Sequence, residues 1–378
     1  MLRSMKIGII TWFTGPNYGT NLQAIALQYF LRNHGFEVNI INYEVPPWQL
    51  KKEKKSLIKR LAHQPKKYAI KFLLKKYQNE IAMRDKKLAA AISSNCILTA
   101  KIKNISELIN VCNDFDLLIC GSDQIWNPNW YDRFYFADYD GVVTRRISYA
   151  PSMGVNAIPD NVIREISRSI SKFSFVSVRE NKAAELLSPY TNKRPEVVVD
   201  PTLLLSKEDW NTIFQKRNSE KEKYILAFFL NDEKTHLKAT RDFANKHHYK
   251  LVWIPYKGMT YMQNADIRAD AGLEDLLNLI RYAEYIITDS FHITVFSIIF
   301  EKQFYTFQRF KENSFTSQNV RVTNLLEMTN LQNRLIPYQS VKINEKSEIC
   351  YESHITKLKT EIEKSKQFLS KAIEDSML

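Results

Sequence analysis

Apolar residues in this chain follow two alternating patterns. Short continuous runs of strand length are separated by longer segments with an apolar residue at every third or fourth position. Residues 6–13 form the first run, followed by a polar loop at 14–21. A helix comes next, with Leu22, Ile25, Ala26, Tyr29 and Phe30 on one apolar face. His34 and Gly35 end it, and 36–43 reads as the second strand. Further strands are predicted at 115–120, 146–150, 173–178 and 196–199. After a polar stretch at 216–223 the alternation resumes: strand 224–230, helix 235–247, strand 249–255, helix 273–281 and strand 284–288. Residues 352–376 form a last amphipathic helix carrying Ile355, Leu358, Ile362, Leu369 and Ile373 on one side.

Strand and helix in alternation imply parallel sheets, and the opening β-loop-α-β unit is of Rossmann type. Two such units predict an α/β protein: two Rossmann-like domains in a glycosyltransferase-B-like arrangement with an interdomain cleft. The expected division is 1–205 for the first domain, with a basic helical insertion at 50–92, and 206–345 for the second. A helix at 351–378 is expected to pack back on the body.

The chain has 378 residues, of which 44% are hydrophobic and 12% aromatic, so the composition is that of packed cores and not of disorder. No apolar run approaches the ~20 residues of a membrane helix. Thr11, Gly15, Pro16 and Asn17 interrupt the first run in a way a signal peptide would not, so a cytoplasmic protein is expected. Four cysteines show neither metal nor disulfide spacing, and Cys112 and Cys120 read as core thiols. Charge is concentrated: residues 51–90 hold fourteen lysines and arginines against Glu53, Glu80 and Asp85, a net +11 of the chain's +13. Ile58, Leu61, Ala69, Phe72, Leu73 and Leu74 interleave with these cations as in an amphipathic helix. Two readings stand for 51–90: peripheral contact with an anionic membrane at its inner face, or a solvated helical excursion. Nucleic acid is not expected, because no recognition motif accompanies the charge. The oligomeric state is not legible.

Four loops follow predicted strands, where open α/β sheets bind ligands. The first holds Asn17, Tyr18, Thr20 and Asn21 at a helix start, either to bind hydroxyls or an anion or simply as a capped turn. Gly8, Gly15 and Gly19 do not make a dinucleotide fingerprint, and no Walker sequence occurs. The second, 121–128, sets Asp123, Gln124 and Asn127 beside Trp126, read as an exposed aromatic. That combination is equipment for sugar hydroxyls, with Asp123 as a general base, or else a self-bonded turn. In the third, Arg179 ends a buried strand and pairs with Glu180 or Glu185, or else presents its fork to an anion. The fourth, Asp289-Ser290-Phe291-His292, places an imidazole at a helix start, as a site group or as a cap. No residue cluster has metal-ligand spacing, and the adjacent His247 and His248 decorate a helix end, so no metal or cofactor is expected.

Taken in order, N-Y-G-T-N-L-Q-A at 17–24, G-S-D-Q-I-W-N at 121–127, S-V-R-E at 177–180, V-D-P-T-L-L-L at 199–205, T-D-S-F-H at 288–292 and R-V-T-N-L-L at 321–326 resemble the polysaccharide pyruvyl transferase family. The resemblance implies transfer of pyruvate from phosphoenolpyruvate to two hydroxyls of a sugar in a surface-polysaccharide precursor, as a cyclic ketal with release of phosphate. It makes the first domain the acceptor side and the second the donor side, with a sugar or lipid-linked oligosaccharide as partner. His292 matches the family's catalytic histidine and Arg179 its anion-binding arginine. The chain departs from the pattern at Ser290, where relatives often carry arginine, and at Ile293, where glycine is frequent. One donor-binding cation is thus missing from its usual place; Arg309, Lys311 and Arg321 in the following segment are candidates to replace it.

Two other classes remain open on sequence. One is a nucleotide-sugar glycosyltransferase of the same architecture, against which stands the lack of an E-x7-E pair between 270 and 320. The other is a non-catalytic carbohydrate-binding member of a polysaccharide assembly complex, consistent with Ser290.

Overall fold

The computed structural model describes residues 4–43, 74–217, 222–311, 314 and 317–376. The first sheet has the order β2-β1-β3-β4, from Lys6–Ile10 (β1), Glu37–Ile40 (β2), Leu117–Cys120 (β3) and Arg146–Ser148 (β4). A bridge from Ile147 to Phe175 leads on to the short pair Ser177–Val178 (β5) and Glu196–Val197 (β6). The second sheet has the order β12-β11-β10-β7-β8-β9. Its strands are Tyr224–Phe228 (β7), Lys250–Ile254 (β8), Ile267–Arg268 (β9), Tyr285–Thr288 (β10), Gln303–Phe307 (β11) and Leu335–Ile336 (β12). Every pairing in both sheets is parallel. Strands β3 and β7 are buried at every position, which is why they read as continuous apolar runs.

The strands are shorter than the apolar runs. The run at 6–13 ends as a strand at Ile10, so Trp12 and Phe13 belong to the loop, and 173–178 keeps only Ser177 and Val178 in β5. The opening helix, Tyr18–Asn33, is more than one-faced: every residue from Tyr18 to Gln28 is buried. It lies between the first sheet and the helix Phe291–Ile299 of the second domain, and a helix enclosed on all sides has no polar face to show. One apolar cluster runs through it, from Ile7 and Leu22 to Phe228, Ile286 and Phe296. Tyr18 ties the domains directly, its hydroxyl donating to the Ala271 carbonyl at 2.7 Å.

Of the basic stretch, residues 51–73, including Ile58, Leu61, Ala69, Phe72 and Leu73, lie outside the described residues. Its later part forms the helix Gln78–Asn95, whose cations reach the second domain. Arg84 Nη1 donates to the Tyr256 carbonyl at 2.6 Å and to the Tyr261 hydroxyl at 2.9 Å, and Lys87 Nζ lies 3.4 Å from Asp270. The final helix, Tyr351–Asp375, buries Leu358, Leu369, Ala372 and Ile373 in the shared core. It returns to the first domain, where its Ser365 hydroxyl accepts from the Val199 N–H at 3.0 Å. Cys112 and Cys120 are buried, and burial pushes the Cys112 thiol up to about 12. Among the described residues no helix is long and apolar enough to cross a membrane.

Candidate functional site

The carboxyl ends of both sheets face a cleft of about 940 Å³ between the domains. Its walls are chemically unequal. Residues 11–17, Tyr43, Asp123, Gln124, Trp130, Asp132 and Tyr135 line the first domain's side, which has two carboxylates and no lysine or arginine. The second domain contributes Leu230, Asn231, Tyr256, Lys257, Arg309, Phe310 and Gln318, including both cations of the lining. Asp123 follows β3 in the left-handed region, at φ 63°, a conformation that a short polar side chain tolerates. Its Oδ2 accepts from the Thr20 hydroxyl at 2.6 Å.

One layer below Asp123, three groups from separate segments meet, two from loops after β5 and β6 and one from the first turn of the helix Phe291–Ile299. Arg179 Nη1 donates to Asp200 Oδ2, and His292 Nε2 lies 3.5 Å from the same oxygen. Arg179 Nη2 is 4.0 Å from Asp123 Oδ1, which connects the trio to the cleft. Burial alone would raise the Asp200 carboxyl, but His292 and Arg179 outweigh it and hold the group well below the ordinary range. Burial likewise opposes the charge on Arg179, and Asp200, Glu180 and Asp123 more than offset it. The Nε and Nη2 atoms of Arg179 are buried without hydrogen-bond partners. Gly19 makes room for the imidazole: a Cβ there would lie 1.9 Å from His292 Nδ1.

A second cationic group sits beside the trio. Arg309 Nη2 and Arg321 Nη2 both donate to Gln318 Oε1, a neutral acceptor, and among the described residues neither guanidinium is ion-paired. Burial, with Arg309 and Arg179 nearby, lowers Arg321 to about 9. The Phe291 ring stands between the groups, 4.6 Å from the Arg179 guanidinium and 5.8 Å from that of Arg321. Asp289 accepts from the Leu230 N–H at 2.6 Å and the Asn231 N–H at 3.1 Å, shaping that part of the cleft wall. Its burial raises the carboxyl to about 6 against the pull of those N–H groups, Arg309 and Lys257.

Several residues singled out in the sequence do not face the cleft. Trp126 is fully buried, stacked on Phe136 with its indole N–H given to the Tyr135 carbonyl, so it is a core residue and not an exposed aromatic. Asn127 is buried as the cap of the turn at Asn129. Tyr18 is taken up by Ala271, and Asn21 by the Gly15 carbonyl. Ser290 is buried, its carbonyl accepting from Thr294 and its N–H bonded to Thr288, and Lys311 is exposed and does not line the cleft. His292 and Arg179 converge, but beneath the cleft floor; Asn17, Asp123, Gln124 and Arg309 line the cleft itself. Arg179 pairs with Asp200 and, at 4.0 Å, with Glu180, and not with Glu185. Sequence reasoning missed Asp200, Trp12, Trp130, Lys257 and Gln318. The first, second and fourth follow strand ends (β6, β1 and β8), the same signal that pointed to Asp123.

The sequence model of the polysaccharide pyruvyl transferase family matches residues 17–309. Among curated proteins none matches the chain. Among solved structures the fold is similar to UDP-GlcNAc 2-epimerase from Methanocaldococcus jannaschii, with a TM-score of 0.52 at 12% identity over 94% of this chain and 92% of that one. It is similar also to Arabidopsis thaliana UGT89C1 complexed with UDP, with a TM-score of 0.53 at 9% identity over 100% of both chains. At such identities the likeness speaks for the fold, two parallel α/β domains across a cleft in the glycosyltransferase-B manner.

Proposed function

The chain belongs to the polysaccharide pyruvyl transferase family, and from that premise we propose that it transfers pyruvate from phosphoenolpyruvate to two hydroxyls of a sugar in a surface-polysaccharide precursor. The observation that carries this reading is that Arg309, in the cleft wall, and Arg321, buried behind it, share the one neutral amide oxygen of Gln318. A buried guanidinium bonded to no carboxylate is costly, and a small ligand with a carboxylate and a phosphate relieves two at once. These arginines then stand in for the cation that Ser290 does not provide.

The reaction needs a proton delivered to the methylene carbon of the enolpyruvyl group, which leaves positive charge on the neighbouring carbon. One sugar hydroxyl attacks that carbon and gives up its proton. The second hydroxyl displaces phosphate, which leaves with the last proton, and the ring closes as a ketal. In this reading Asp123, at the floor and within reach of an acceptor, takes a hydroxyl proton. His292, held by Asp200, is the acid or a phosphate contact acting from below Asp123. Gln124 and Asn17 hold acceptor hydroxyls, and no metal or cofactor takes part. The basic stretch at 51–90 keeps the enzyme near anionic, lipid-linked intermediates at the inner face of the membrane, so its binding to anionic vesicles falls with salt.

The test is phosphate release from phosphoenolpyruvate with a panel of lipid-linked oligosaccharides, for the parent protein, His292→Ala and Arg309→Gln. Turnover in the parent, lost in His292→Ala and with a raised donor KM in Arg309→Gln, supports the reading. Stabilisation by a nucleoside diphosphate but not by phosphoenolpyruvate would replace it with a nucleotide-sugar transferase.

A further inference from the structure

The first-domain wall of the cleft carries an aromatic group that the chemistry above leaves without work. Trp12, Trp130 and Tyr135 pack as a set, with ring centroids 5.8 Å apart between Trp12 and Trp130 and 5.9 Å between Trp12 and Tyr135. Trp12 is fixed from behind: Gln23, fully buried, donates its amide to the Trp12 carbonyl at 2.7 Å and to the Thr20 carbonyl at 2.9 Å. Trp130 is 38% exposed, the most exposed tryptophan among the described residues, although Trp126, Trp210 and Trp253 are wholly buried. Asp132 lies in the same wall, its carboxylate orienting the turn through the Phe134 N–H at 2.9 Å.

Resting on the pyruvyl transfer reading, we propose that Trp12 and Trp130 form a subsite for a second sugar ring, so that the acceptor is an oligosaccharide and not a lone monosaccharide. Three observations carry this. The cleft, about 940 Å³, is at the upper end of what encloses a drug-sized molecule, far more than a three-carbon donor and one sugar fill. Its cations lie on the opposite wall, so a doubly anionic donor is drawn away from the rings, and the two carboxylates beside them repel phosphate while accepting hydroxyl protons. A pyranose has an apolar C–H face and a hydroxyl-bearing edge, which matches flat indoles flanked by Asp132 and Asn17. The subsite is continuous with Asp123, so a ring stacked on the tryptophans leaves its neighbour at the floor.

The experiment is tryptophan fluorescence titration of the full chain with lactose, cellobiose, maltose and chitobiose, each against its monosaccharide methyl glycoside. The parent, Trp130→Ala and His292→Ala are compared. Quenching by at least one disaccharide, about tenfold tighter than its monosaccharide, lost in Trp130→Ala and kept in His292→Ala, is the expected result. No quenching by any disaccharide, equal affinity for monosaccharides, or unchanged quenching in Trp130→Ala overturns the subsite. Circular dichroism of Trp130→Ala separates lost binding from lost fold. Disaccharide binding in a parent that releases no phosphate from phosphoenolpyruvate would sink the pyruvyl transfer reading and leave the sugar subsite standing.

Discussion

Gly19, in the first turn of the opening helix, is in contact with the imidazole of His292 from the other domain, with no space for even a methyl group between them. Alanine ordinarily favours a helix over glycine by about 1 kcal/mol. Here it displaces the ring from Asp200. Gly19→Ala is expected to lower kcat for phosphate release more than tenfold while the melting temperature changes little. A variant with full turnover would remove His292 from the chemistry.

Asp200 holds both Arg179 and His292, so its loss leaves a buried guanidinium without its closest partner. Asp200→Asn is expected to destabilise the fold by about 3–5 kcal/mol in urea titrations at neutral pH. The carboxyl's folded pKa lies below its unfolded one, so its stabilising share is complete above about pH 4 and drains away as pH falls further. The variant should therefore show a flatter loss of stability on the acid side than the parent. Parallel acid limbs would contradict this.

Gln318 offers a sharper test than either arginine. A carboxylate in its place gives Arg309 and Arg321 a directly bonded anion where they now share a neutral amide oxygen, and so competes with the donor. Gln318→Glu is expected to raise the melting temperature and to raise the KM for phosphoenolpyruvate tenfold or more, in line with about 1.5–3 kcal/mol for a charged hydrogen bond. Unchanged donor KM would show that the two arginines serve the fold alone.

Asp289 sets a pH dependence of opposite sign. Its folded pKa of about 6 lies above the ordinary 3.8, so between these values the folded chain keeps a proton that the unfolded chain releases. This share of stability is present below about pH 4 and is lost as pH rises through 6, a change of about 3 kcal/mol. Arg309 and Lys257 are the cations facing it. Urea titrations at pH 4.5 and 7 should show the stability of Asp289→Asn relative to the parent rising with pH. A constant difference would exclude the assignment.

Much of this was legible in the chain because burial on both faces of a parallel sheet writes strands as unbroken apolar runs. That is how β1, β3, β7 and β10 stood out, and with them the loops holding Asp123 and His292. What stayed hidden has physical reasons. Loops have no periodicity, so nothing in 121–130 distinguished Trp126, which turns inward, from Trp130, which turns outward. Asp200 follows a two-residue strand and reads as the turn Val199-Asp200-Pro201, where an aspartate is ordinary. The pairing of Arg309 with Arg321 depends on a helix, Val320–Met328, whose start has no side-chain cap to announce it. The exclusion of Ser290 and Lys311 from the cleft follows from packing that no local pattern encodes.

The apolar cluster that passes from one sheet through the opening helix into the other has a mechanical consequence. Neither half can melt without exposing the other's interior, so calorimetry should record a single cooperative endotherm. Opening and closing the whole molecule like a book would tear that shared interior apart. Reactants are therefore expected to enter and leave past a scaffold whose two halves keep their relative placement.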